Sequence, residues 1–158
     1  TLELQGNQVG AEGAAALAHF LNKTNITNLD LAGSNLANYG KDVSGLLKLV
    51  EVLPLTKIVS VNLANNRLCG IDKNGEGTYT AEVIIKLFDA LKGSAVTSLS
   101  VAANFLGPDG GAALAEGLKG NSTLQSLDLA LNQLCGLDSN GNGTYTTEGI
   151  TKLCEAVQ

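Results

Sequence analysis

Leu124-Gln-Ser-Leu127-Asp-Leu129-Ala-Leu-Asn132-Gln-Leu134 decides the fold. Leucine stands at the first, fourth, sixth and eleventh positions of this frame, and asparagine at the ninth. Leu127-Asp128-Leu129 alternates with the period of a strand that buries one face. The same frame recurs upstream. Ile58, Val61, Leu63, Asn66 and Leu68 form one copy, and Val96, Leu99, Val101, Asn104 and Leu106 another. Ile26, Leu29, Leu31 and Leu36 form a third, with Ser34 where asparagine is expected. The chain opens inside a fourth, of which Leu2, Leu4, Asn7 and Val9 are present. The segments between copies read as helices. In the first, Leu17 and Leu21 lie four apart among alanines, which places them on one helical face. In the second, Asp42 is the expected N-cap of a helix running to Leu53 and closed by Pro54. In the fourth, Gly107-Pro108-Asp109 puts proline at the first helical position, with Leu114 and Leu118 facing inward.

The frame L-x-x-L-x-L-x-x-N-x-L, with helical returns and units of about 28 residues, resembles the ribonuclease-inhibitor type of leucine-rich repeat. The sensing arms of NOD-like receptors use the same type. The resemblance covers the whole chain. It implies an α/β solenoid of about five repeats, with a curved parallel sheet on the concave side and helices on the convex side. Repeats fall at about 1–25, 26–57, 58–95, 96–123 and 124–158, within one domain spanning 1–158. Asn7, Asn66, Asn104 and Asn132 match the family's asparagine ladder, in which the side-chain amide satisfies backbone groups at the turn after each strand. Ser34 is expected to break that ladder. A free-standing solenoid needs polar capping units. The mid-repeat start and uncapped end at Gln158 therefore suggest a piece of a longer array, or a partner over one end.

Composition narrows the function. The net charge of −5 and the single arginine, Arg67, leave no basic stripe for nucleic acid. No apolar run reaches the roughly 18 residues of a membrane span, and no signal peptide is visible. Cys69 and Cys135 occupy the same position two repeats apart. At about 4.8 Å per strand they stand roughly 10 Å apart, beyond disulfide reach. Cys154, at the position of Phe88 and Ala115, reads as a small packing residue. The unpaired thiols favour an intracellular setting. Asn22, Asn25, Asn121 and Asn142 head glycosylation sequons, read here as accidents of Asn- and Thr-rich turns.

One feature is not generic to the repeat. Cys69-Gly-Ile-Asp72-Lys-Asn74-Gly-Glu76-Gly77-Thr78-Tyr79-Thr80-Ala-Glu82 returns 66 residues later as Cys135-Gly-Leu-Asp138-Ser-Asn140-Gly-Asn142-Gly143-Thr144-Tyr145-Thr146-Thr-Glu148. The two insertions should stand on one side of the stack with a plain repeat between them. Asp72, Asn74 and Glu76, and likewise Asp138, Asn140 and Asn142, alternate as in the first half of an EF-hand calcium loop. Against calcium, the twelfth position holds Val83 or Gly149 in place of glutamate, and no helix precedes the loop. The alternative is structural and is preferred: Asx turns, glycine bends, and Thr80 and Thr146 capping the helices that follow. No bound cofactor is required.

These features point to a non-enzymatic protein-interaction module, serving as a scaffold or an accessory subunit of a larger assembly. Its partner is a protein of unspecified identity. The concave face should present Asp30, Asn62, Ser100 and Asp128, a polar and mildly acidic surface without aromatic anchors. Tyr79 and Tyr145 on the insertion loops offer better anchor chemistry. A calcium-dependent adaptor is one alternative. Regulation of a GTPase is another and rests on analogy with the Ran GTPase-activating protein; there Arg67 reads as a supporting surface charge. His19, on the solvent side of its helix, is given no catalytic role.

Overall fold

The computed structural model describes residues 1–158. Strand and helix alternate throughout: β1 (Leu2–Glu3), α1 (Gly10–Leu21), β2 (Asn28–Asp30), α2 (Ser44–Val52), β3 (Ser60–Asn62), α3 (Glu82–Leu91), β4 (Ser98–Ser100), α4 (Gly107–Leu118), β5 (Ser126–Asp128) and α5 (Glu148–Ala156). The strands form one parallel sheet in chain order. Leu2, Leu29, Val61, Leu99 and Leu127 pair in register as one rung. Hydrogen bonding continues past the strand ends, with the Leu63 N–H donating to Ser100 O at 2.9 Å and the Val101 N–H to Asp128 O at 3.1 Å. The recurring frame is thus a ribbon of aligned rungs.

Between sheet and helices lies one core of 25 buried residues. Each repeat supplies frame residues from its strand and turn, such as Leu63 and Leu68, and helix residues such as Ile84, Leu87 and Leu91. A single unit is too thin to enclose these side chains, so burial is shared with the neighbours on both sides. No helix is long and apolar enough to cross a membrane.

The turns leaving the strands are held by the asparagines. Asn104 Oδ1 accepts from the N–H groups of Asn66 at 2.8 Å and Leu68 at 3.2 Å, both in the preceding repeat. Its Nδ2 donates back to Leu63 O and to its own Val101 O, both at 2.9 Å. Asn66 repeats the pattern on Ser34, Leu36 and Leu31, and Asn132 does so on Asn104 and Val101. Ser34 departs from the expected break. Its hydroxyl donates to Leu4 O at 2.8 Å, which replaces the amide's link to the preceding carbonyl. What a hydroxyl this short does not supply is acceptance from the preceding turn's N–H groups.

Repeat two corrects one boundary. The helix begins at Ser44, because Asp42 Oδ1 accepts the Ser44 N–H at 2.9 Å and holds the preceding residues in a turn. Pro54 does not end it abruptly, since Leu53–Leu55 continues as one 3-10 turn. In repeat four Pro108 opens α4 as the sequence implies. Leu114 is fully buried, whereas Leu118 is only partly so.

Helix spacing is uneven, and two glycines explain it. A Cβ on Gly45 would strike the Ala11 carbonyl, and one on Gly149 would fall 2.9 Å from Leu134 O and 3.2 Å from Pro108 O. So α2 presses on α1 and α5 presses on α4. The matching position of α3 is Val83, which is buried as a side chain.

Removing one ladder amide should expose how much each contributes. Asn104→Ala leaves the N–H groups of Asn66 and Leu68 without partners in a dry core and leaves the Leu63 carbonyl with the Asn66 amide alone. It is expected to lower the unfolding free energy by about 2–4 kcal/mol, read from the urea midpoint.

Candidate binding surfaces

The open face of the sheet is built from strand residues that point away from the core. Glu3, Asp30, Asn62, Ser100 and Asp128 are mutual register partners and form one row across all five strands. The expected concave-face residues are therefore brought together, and Glu3, absent from that expectation, joins them. It was legible from the frame, as the residue between Leu2 and Leu4. Asp30 Oδ2 accepts from Asn62 Nδ2 at 3.1 Å, and Asp128 Oδ2 accepts from the Ser100 hydroxyl at 2.9 Å. Each of these aspartates also accepts a backbone N–H two residues on, from Ala32 and Ala130. The row lines a shallow hollow of about 350 Å³, and no lysine or arginine contributes to it.

Each insertion folds as a miniature hairpin. Ile71 bridges Gly77 and Leu137 bridges Gly143 in antiparallel fashion. Asp72 Oδ1 accepts the N–H groups of Asn74 and Glu76, at 2.8 and 3.0 Å. Asp138 Oδ1 does the same for Asn140 and Asn142, while its Oδ2 accepts Asn142 Nδ2 at 3.0 Å. The backbone N–H groups of Asn74 and Glu76 hold the Asp72 carboxyl below its ordinary range, and the Asn142 amide leads the same effect on Asp138. The aspartates thus hold their own loops together. Glu148 is paired with Lys152 at 2.7 Å on its own helix, and no three acidic, histidine or cysteine side chains converge on a metal-sized site. These donor sets fit Asx turns better than calcium. Thr80 and Thr146 each accept the first helical N–H, from Glu82 and Glu148, at 3.1 and 3.2 Å.

The two tyrosines are not equivalent. Tyr79 reaches across to the next repeat and donates to Leu106 O at 2.8 Å, keeping 38% exposure. Tyr145 is 64% exposed. Neither lines the cleft between the loops. That cleft, about 760 Å³, has Lys73 and Asn74 on one wall, Leu137 to Asn140 on the other, and Phe105 and Leu131 in its floor. Leu131 is 79% exposed. The loops' shared side was legible in the sequence, but this floor was not. Phe105 and Leu131 sit at positive φ, 56° and 57°, where the repeat's turn turns apolar side chains outward.

The remaining candidates resolve simply. The Arg67 guanidinium lies over the Tyr39 ring, 5.0 Å from its centre, an intramolecular cation–π contact. All three cysteines are free. Cys69 is buried, and desolvation pushes its thiol up to about 11. Cys154 lies on α5 and is exposed.

A one-dimensional pile of strand-turn-helix units, bonded by buried asparagine amides, defines a solenoid class. The family described as Leucine Rich repeat matches residues 1–18 and 120–134. The C-terminal domain of tropomodulin from Caenorhabditis elegans superposes on 99% of this chain and 80% of that one, with a TM-score of 0.60 at 14% identity, a likeness of fold. No curated protein matches the sequence. The chain resembles leucine-rich-repeat proteins, in the two segments that match and in its fold.

Two measurements check these assignments. At pH 8 a thiol reagent should label Cys154 rapidly and Cys69 only on unfolding, because Cys69 is both enclosed and held protonated. Millimolar calcium followed by chelator should leave the melting temperature unchanged, since a cation bound only to the folded loops would raise it.

Proposed function

We propose that this chain is a non-enzymatic protein-interaction module whose open sheet face takes an extended, cationic segment of a partner protein. One observation carries the reading: Glu3, Asp30 and Asp128 stand in a single row across a face to which no lysine or arginine contributes. Asp30 and Asp128 are also held in place, one oxygen on backbone and the other on a neighbouring side chain, so their orientation is set before a partner arrives. The likeness to leucine-rich repeats supports a binding role, which we read as that of a scaffold or accessory subunit.

Exposed ion pairs contribute about 0.2–1 kcal/mol each, so the row sets on-rate and selectivity more than raw affinity. A second reading has its own support. The cleft between the insertion loops offers Phe105 and Leu131 as apolar contacts, the kind that usually anchors an interface.

Titrating a lysine-serine alternating peptide onto the chain should give binding that weakens steeply with salt. The triple variant Glu3→Gln, Asp30→Asn and Asp128→Asn should weaken it by roughly three- to 150-fold, as the sum of such pairs implies. Should the triple variant bind its partner unchanged while Phe105→Asp and Leu131→Asp abolish binding, the site belongs to the cleft.

A further inference from the structure

We infer that Asn142 is a site of spontaneous chemical modification, its side-chain amide being lost to attack by the backbone nitrogen of Gly143. Asparagine followed by glycine meets the least hindrance in this reaction, because glycine has no Cβ to shield its nitrogen. Three such pairs occur, Asn74-Gly75, Asn140-Gly141 and Asn142-Gly143, all in the insertion hairpins. The three asparagines are exposed, so access of water does not tell them apart. The first hairpin has a repeat on either side and is still exposed from Lys73 to Tyr79, so exposure belongs to the hairpin itself.

What separates the pairs is the attacking nitrogen. The Gly75 N–H donates to Asp72 O at 3.0 Å and the Gly141 N–H to Asp138 O at 3.1 Å, so both nitrogens are tied into the tips of their hairpins. The Gly143 N–H has no acceptor. Strand pairing explains why. The Asp138 N–H donates to Asn142 O at 2.9 Å beside the antiparallel bridge of Leu137 and Gly143. Leu137 and Gly143 are therefore the non-hydrogen-bonded pair, and the Gly143 N–H points out of the hairpin. The related pair Asp109-Gly110 is closed to the same chemistry, its glycine N–H donating to Leu106 O at 3.0 Å within α4.

The glycine cannot be exchanged for a shielding residue. A Cβ on Gly143 would strike the Gly136 carbonyl, and its φ is 122°. The fold thus requires the residue that makes Asn142 reactive. Repeat three keeps the same glycine, Gly77, but precedes it with Glu76, whose carboxylate has no ammonia to lose.

Once hydroxide has taken the proton from Gly143 N, that nitrogen bonds to Asn142 Cγ. The Cγ–Nδ2 bond breaks, and ammonia leaves with a proton from water. Water then opens the cyclic imide at either carbonyl, giving aspartate or isoaspartate. The sum is amide and water to acid and ammonia, with nothing oxidised or reduced.

The product loosens its loop. The bond from Asn142 Nδ2 to Asp138 Oδ2, at 3.0 Å, is lost, and a second carboxylate faces the first. Isoaspartate also reroutes the main chain through Cβ, whereas the Asn142 N–H and carbonyl are both bonded to Asp138 at their normal spacing. Asp138 belongs to the cleft wall that runs from Leu137 to Asn140. That wall therefore changes as the protein ages, while the opposite wall of Lys73 and Asn74 does not.

The folded chain is incubated at pH 8 in water enriched in heavy oxygen, then digested and mapped by fragmentation mass spectrometry. The heavy label marks conversion that preceded digestion. Asn142 should convert to aspartate and isoaspartate together. Asn74 and Asn140 should lag it by roughly two- to tenfold, the slowing expected of one hydrogen bond that must open first. In urea the three should convert at similar rates. Asn142→Gln, whose ring closure is slower, should stay unlabelled at that position with the other two sites unchanged. Equal rates at the three sites of the folded chain overturn the proposal. So does an Asn142 that keeps its amide in the folded chain while converting in urea.

Discussion

Stacking short parallel strands creates a polar problem at every turn. Two or three residues of sheet are followed at once by backbone that must bend inside an apolar core, and its N–H and C=O groups cannot reach water. The asparagine amide answers this with one side chain. Its oxygen takes two N–H groups of the preceding repeat, and its nitrogen supplies carbonyls of both repeats. Aspartate would bring a buried charge and no donor. Glutamine would carry the same groups one methylene too far. Serine, at position 34, keeps the donated bond to Leu4 O and loses the accepted ones. Register in this molecule is therefore fixed less by strand pairing than by side chains lying just past the strands.

That arrangement frees the helix side to vary. Successive ladder positions lie 32, 38 and 28 residues apart, yet the rungs stay aligned. Extra residues are spent in the hairpins after Cys69 and Cys135, which close on themselves through Asp72 and Asp138 and ask nothing of the sheet. Helix spacing is then adjusted locally, close where Gly45 and Gly149 permit backbone contact and wider where Val83 intervenes.

Position within a unit was legible in the sequence, because a fixed frame assigns each residue an inward or outward direction. The paired rungs, the acidic row and the hairpins' shared side follow from that frame. Environment was less legible, because half of it belongs to the next repeat. Tyr79 and Tyr145 are identical in local sequence and differ in fate, one bonded to Leu106 O and the other facing solvent. Cys154 shares a register position with Phe88, yet only the latter is covered. Ser34 misled for another reason, since the frame names a residue type, whereas a hydroxyl donor at the right height keeps one of the amide's links and loses only the accepted ones. Phe105 and Leu131 escaped notice because their exposure comes from positive φ, which no periodicity reports.

The acidic row also carries geometric information about what it would recognise. It runs across the strands, so its members are spaced by the inter-strand distance of about 4.8 Å. Glu3 and Asp30 are adjacent rungs, close enough for one cation to serve both and for their mutual repulsion to favour its arrival. Asp128 lies three rungs beyond Asp30, roughly 14 Å away. An extended chain advances about 3.3 Å per residue, so two cationic side chains some four residues apart would meet both ends of the row. Asn62 and Ser100, between them, offer neutral hydrogen-bonding groups that tolerate small polar side chains but give a charge nothing to pair with. The row therefore selects spacing as well as sign, and selectivity of that kind survives the modest strength of each exposed ion pair because a wrongly spaced ligand satisfies one end only.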